Sequence, residues 1–393
     1  MSSKAIIKYT LGILVGVVLF PVEVHTSDVG RIYQSEARSW VDPETGFEIT
    51  QWTGDGSNNW HLYVYINSFI DEDNIIIASD RNGFDNLYKL NLTSGRITQM
   101  TDKTNIRFRV WHWPHKKKLW YIAGKTLYEL STETSKSRAI YTFLDFEPES
   151  YTITPDGRWF VFSANKNPGF SENHSTGPYA IFKLHLDHLE VEQISPDLGF
   201  VISHLQANPV DTTIILYCWQ HRYRENSPGI VGNTPQRIWW LNIDGTDGGP
   251  VGAQEFGLHR THEFWYPDGS RIGYAARYVY GPNEGKQFIG SIKPDGSDND
   301  MIAAPVRFAH SQVLSGNRFW VADYYDGFNL VLFELEEKRI VNTDILFEHG
   351  SSWEGQRAHP HPQFSPDGRY VLFTTDKSGL SNVYTVTVNL ERE

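Results

Sequence analysis

The chain has 393 residues, with 40% hydrophobic, 21% charged and 14% aromatic residues and a formal net charge of −12. That balance excludes a disordered chain, a coiled coil and a collagen-like rod, and the negative charge argues against a nucleic-acid binder. One cysteine, Cys218, excludes an internal disulfide and any multi-cysteine zinc module.

In chain order, Lys4 and Lys8 precede an apolar run from Leu11 to Phe20, followed by polar residues His25 to Asp28. This is the order of a secretory signal, and the run is too short to span a bilayer. Residues 1–26 are therefore expected to be a signal peptide. The expected location is periplasmic or secreted, with no stable membrane insertion after signal removal. An uncleaved anchor is the alternative.

From residue 45 onward, short β-rich runs recur between turn residues. Thr154-Pro155-Asp156-Gly157, Tyr266-Pro267-Asp268-Gly269 and Ser365-Pro366-Asp367-Gly368 each precede an apolar run. Proline presets φ, aspartate caps its own backbone and glycine takes the positive φ of a tight turn. A related unit begins at Asp71, and degenerate copies begin near Trp113-Pro114, Asn208-Pro209 and Ser315-Gly316. Seven openings about 40 to 57 residues apart suit the four-stranded blades of a propeller. The expected fold is all-β, a seven-bladed β-propeller forming one domain over residues 27–393. Phe47 to Trp52 is expected to supply the outer strand of the last blade and close the ring.

Chemistry-bearing residues cluster near the blade openings. In Gln356-Arg357-Ala358-His359-Pro360-His361-Pro362, an extended backbone puts His359 and His361 on one side, and the prolines stiffen it. With Gln356 they form half a shell for a divalent metal; surface histidines in a turn are the alternative. His310 has the same placement one blade earlier and is expected to converge on the same channel mouth. His262, one blade further back, is a candidate general base, the alternative being a structural histidine. Arg237 is a candidate carboxylate clamp, or else an inter-strand ion pair. His204 and His61 are weaker candidates for substrate contact, and Asn59, Trp60 and Tyr63 offer surface for sugar rings. His112 reads as part of a solvated hairpin tip and Cys218 as a buried strand residue.

The stretch Thr261-His262-Glu263-Phe264-Trp265, the His310-Ser311 pair, and Trp353 followed by Gln356, His359 and His361 resemble the oligogalacturonate lyases, seven-bladed propeller polysaccharide lyases. The resemblance implies that His310, Gln356, His359 and His361 bind a divalent metal, typically Mn(2+). It implies that His262 is the base, that Arg237 holds the uronate, and that the partner is an acidic oligosaccharide. The chain departs from the family pattern after Cys218, where Trp219, His221 and Tyr223 stand. Tyr223 is thus a candidate substrate contact, and a lyase for another uronate glycan is the nearest alternative. A non-catalytic binding propeller is the alternative from another class.

Overall fold

The computed structural model describes residues 27–167, 178–220 and 236–390. The signal-like segment and Tyr223 lie outside them. The described residues form seven antiparallel sheets, and the only helical elements among them are the 3-10 turns Pro114–Lys116 and Gln356–Ala358. The innermost strands of blades 1 to 7 are Asn59–His61, Ile106–Trp113, Ser150–Ile153, Ile202–Ala207, Leu258–Trp265, Phe308–Val313 and Gln363–Phe364. The chain is a seven-bladed β-propeller, as its repeat implies.

The phase of the repeat differs from the sequence reading. The Pro-Asp-Gly turns at Pro155, Pro267 and Pro366 each join the innermost strand of a blade to the second strand, so each is the first hairpin rather than the opening. In blade 3, Asp156 Oδ1 accepts from Thr154 Oγ1 at 2.6 Å and from the Arg158 amide at 3.1 Å, while Gly157 takes φ +72°. Asp367 and Gly368 repeat the arrangement in blade 7, where Gly368 has φ +73°. Consequently His204, His262 and His310 lie within innermost strands, not in the segments before them. His112 is corrected more sharply. It belongs to the innermost strand of blade 2 and is buried, because the hairpin tip starts two residues later at Pro114.

Ring closure matches the expectation and exceeds it. Glu48–Gln51 pairs antiparallel with Asn382–Thr387, and Arg38–Val41 adds a fifth strand outside it. Ile32–Tyr33 adds a fifth strand to blade 1 through Ile97–Gln99. The seam is tied by side chains as well. Trp52 Nε1 donates to Thr385 Oγ1 at 2.9 Å, and Thr53 Oγ1 donates to Asn382 Oδ1 at 2.9 Å. Neighbouring sheets bury large aromatic rings between them, Trp120, Trp320, Tyr88 and Phe160 among them. Such rings fill the wedge between flat faces and supply much of the apolar burial. Cys218 is buried in this packing as expected, and burial pushes its thiol up to about 12.

Candidate active site

The site is built on irregularities in the innermost strands. Pairing with the second strand slips between Arg107 and Trp111 in blade 2, and between Ser203 and Gln206 in blade 4. It slips again between Thr261 and Phe264 in blade 5 and between Phe308 and Ser311 in blade 6. A bulge inserts residues that oppose nothing on the partner strand and so re-aims a side chain. His204 and His262 both take φ +52° there, and His361 takes φ +44°. A left-handed non-glycine residue costs of order 1–3 kcal/mol and persists only where its surroundings hold it. All three histidines line one cavity of about 810 Å3 at the mouth of the channel.

Three imidazoles meet at one side of this mouth. His310, His359 and His361 each present a ring nitrogen, and the three atoms lie within 4.8 Å of one another. His310 Nδ1 donates to Asp323 Oδ2 at 2.6 Å, which fixes the tautomer and leaves Nε2 with its lone pair. Asp323 Oδ1 accepts from the amides of Ala309 and His310, and burial pushes its carboxyl up to about 7. His359 Nδ1 and His361 Nε2 are buried without a hydrogen-bond partner among the described residues. Burial holds all three imidazoles below their ordinary pKa, so they are neutral donors. Neutral imidazoles with orphaned nitrogens fit a divalent transition metal. Gln356 lines the same cavity from the turn Gln356–Ala358. Trp353 backs the cluster, stacked on His310 with centroids 6.0 Å apart and edge-on to His359 at 5.0 Å.

His262 stands beside this cluster, its ring 4.3 Å from that of His310. Its Nδ1 is buried without a partner among the described residues, and burial, with the nearby His310 and Arg237, holds it well below 6.5. Next to it, Glu263 is fully buried and holds two side chains, His204 and Arg237. Its Oε1 accepts from His204 Nδ1 at 2.7 Å and its Oε2 from Arg237 Nε at 3.1 Å. Burial alone would raise the Glu263 carboxyl, but Arg237 and His204 outweigh it and hold it far down. The ion pair uses only Nε of Arg237, so the edge bearing its two terminal nitrogens is not consumed by it.

The remaining sequence candidates divide. Trp60 lines the cavity and carries the Arg357 guanidinium 4.4 Å above its ring. His61 also lies on the wall, but both ring nitrogens are engaged. Nε2 donates to the His361 carbonyl at 2.8 Å and Nδ1 accepts from Thr374 Oγ1 at 2.6 Å. Asn59 is fully buried and turned to Arg81, away from any sugar surface. Sequence reasoning missed Asp323, Glu263, Tyr65, Arg107 and Arg109, of which the last three also line the cavity. Glu263 stands in the Thr261–Trp265 stretch without a role of its own there, and the other four carry no motif. Three arginines and five histidines line the wall against one carboxylate, Glu149, so a chain of net negative charge presents arginine charge at this mouth.

A propeller that gathers three ligand-ready imidazoles, a fourth unpaired imidazole and an anchored arginine at one channel mouth has the constitution of a propeller enzyme. Residues 200–391 match the family model of oligogalacturonate lyase. An oligogalacturonide lyase of Pectobacterium atrosepticum is 26% identical, covering 89% of this chain and 95% of the relative. An oligogalacturonate lyase of Dickeya dadantii is 25% identical over 91% and 98%. The chain is thus similar to oligogalacturonate lyases, through the family model over its second half and through these relatives over most of its length. Two solved structures share its fold over 92% of this chain and 98% of theirs, each at 22% identity. One is an oligogalacturonate lyase in complex with manganese, TM-score 0.82, and the other an oligogalacturonate lyase from Vibrio parahaemolyticus, TM-score 0.81.

Proposed function

We propose that the protein cleaves oligogalacturonate by β-elimination, leaving a 4,5-unsaturated uronate on the new non-reducing end. The observation that carries this reading is the unpartnered, neutral imidazole of His262 beside the three-histidine cluster and Arg237 in one cationic cavity. The C5 proton of a uronate is α to a carboxylate and weakly acidic while that carboxylate keeps its charge. Arg237 pairs with the carboxylate and stabilises the negative charge that grows on it as the proton leaves. His262 takes the C5 proton, the electron pair forms the C4–C5 double bond, and the C4–O bond breaks. The departing oxygen then takes a proton from solvent. His310, His359 and His361, with Gln356 on the same wall, would hold a divalent ion, which would supply positive charge toward the carboxylate and make the C5 proton more acidic. Manganese is the ion named for the solved relative. Glu263 keeps Arg237 and His204 in place, and Tyr63, its ring 4.5 Å from His361, shields the cluster on the cavity side.

The test is the ultraviolet absorbance of the conjugated product, followed on oligogalacturonate and on a panel of other uronate glycans. Activity on oligogalacturonate lost on chelation and regained with manganese is expected. His262→Ala should lower kcat by about 10²–10⁴-fold, the range of a positioned base. No absorbance rise on any substrate would refute the reading, and a rise confined to another uronate glycan would move the substrate. We also infer export on the strength of Lys4, Lys8 and the run from Leu11 to Phe20. Amino-terminal sequencing of the protein from its natural host tests this, an intact Met1 counting against it.

A further inference from the structure

Three arginines face the cavity, and two of them are paired. Arg237 binds Glu263, and Arg107 binds Glu147 at 2.5 Å and the Pro148 carbonyl at 2.8 Å. Arg109 is different. It sits in the bulge of the innermost strand of blade 2, and its Nη1 is buried with no hydrogen-bond partner among the described residues. It makes no ion pair among them either, and Glu149 on the adjoining wall accepts instead from the Tyr179 hydroxyl at 3.4 Å. A buried guanidinium nitrogen without an acceptor is costly, so this edge of the half-buried Arg109 asks for an acceptor from a ligand.

Its place in the ring shows which acceptor. In a seven-bladed ring, blade 2 stands opposite blades 5 and 6, which carry His262 and His310. The carboxylate whose neighbouring proton goes to His262 is held by Arg237, which enters the cavity from blade 4, next to the blade of His262. Between the two sides runs an aromatic floor two tyrosines long. From His361 it is 4.5 Å to the Tyr63 ring, 4.8 Å on to Tyr65, and 6.1 Å on to Trp111 in the strand of Arg109. The cavity, at about 810 Å3, lies toward the upper end of the range for ligand sites and has room for more than one sugar ring.

Resting on the lyase reading above, we propose that Arg109 anchors the carboxylate of a second uronate, the sugar adjoining the one deprotonated by His262. The cavity thereby selects a chain of at least two acidic sugars. Arginine suits the task because its planar fork meets a carboxylate with two parallel hydrogen bonds.

The experiment measures binding by calorimetry in the manganese-loaded His262→Ala protein, which holds substrate uncut, with and without Arg109→Gln. Galacturonate and digalacturonate are the probes. Arg109→Gln should weaken digalacturonate by roughly 10- to 100-fold, the worth of a charge-assisted pair, and leave galacturonate unchanged. Arg109→Lys should regain part of the loss. In the otherwise native enzyme the same substitution should fall mainly on KM rather than kcat. Digalacturonate affinity that stays the same, or falls in step with galacturonate, overturns the anchor. A native protein that neither binds nor cleaves digalacturonate removes the lyase reading itself, a result the Arg109 variants cannot mimic.

Discussion

Asp323→Asn is the sharpest probe of how the histidine cluster is held. The carboxylate makes three hydrogen bonds: Oδ1 accepts from the amides of Ala309 and His310 at 3.1 and 2.6 Å, and Oδ2 accepts from His310 Nδ1 at 2.6 Å. An asparagine has one acceptor and one donor end, so it cannot satisfy both faces. With its oxygen toward the amides, its NH2 faces Nδ1, and His310 must shift its proton to Nε2. That removes the lone pair the cluster offers a metal. With its oxygen toward Nδ1, two buried amides lose their acceptor, at about 1–3 kcal/mol each. Losing such a supporting partner typically costs 10- to 100-fold in metal affinity, or about 1.4–2.7 kcal/mol. The assay is manganese titration by calorimetry into chelator-treated protein, native and variant, with thermal melting as the folding control. Asp323→Asn protein that folds and binds manganese as tightly as the native chain would refute the tautomer argument.

Two further outcomes concern the scaffold. Trp52→Ala removes a buried ring and its bond to Thr385 at the seam, so a loss of about 3–5 kcal/mol is expected in denaturant unfolding. An unchanged midpoint would mean the seam is not a principal source of stability. His112 and His349 are buried, and burial lowers both to about 4. The unfolded chain takes up these protons near pH 6.5 while the native one refuses them until pH 4. Stability is therefore full above pH 6.5 and lost as pH falls through that window, by roughly 2 kcal/mol per histidine at pH 5. Urea unfolding at pH 7 and pH 5, with His112→Phe to remove one of the two, checks it. An equal pH dependence in the variant counts against the assignment.

Much of the fold was legible because Pro-Asp-Gly turns are local. Each carries its own φ requirements and side-chain cap, and Thr154 to Gly157 forms the expected turn wherever it stands in the ring. Closure by Phe47 to Trp52 was legible because the seventh unit, which opens at Ser365, is a strand short. Phase was not, since a turn that joins two strands looks the same whether it opens a blade or forms its first hairpin. His112 was misread for that reason. The histidines announced themselves by chemistry and by repeating position, whereas their supports did not. Asp323 meets His310 across a strand pair, and Glu263 reaches Arg237 from the next blade. Arg109 is turned into the cavity by a bulge that no glycine marks.

The seam in blade 7 has a consequence for the order of events at the ribosome. Residues 48–51 emerge early and can pair with residues 38–41, but they must wait for residues 382–387 before they have their neighbour within the ring. Gln356 to His361 lead directly into that same blade. Six blades can stack during synthesis while the wall that holds two of the three clustered imidazoles stays open. A nascent chain stalled before residues 382–387 is thus an open ring without a finished mouth.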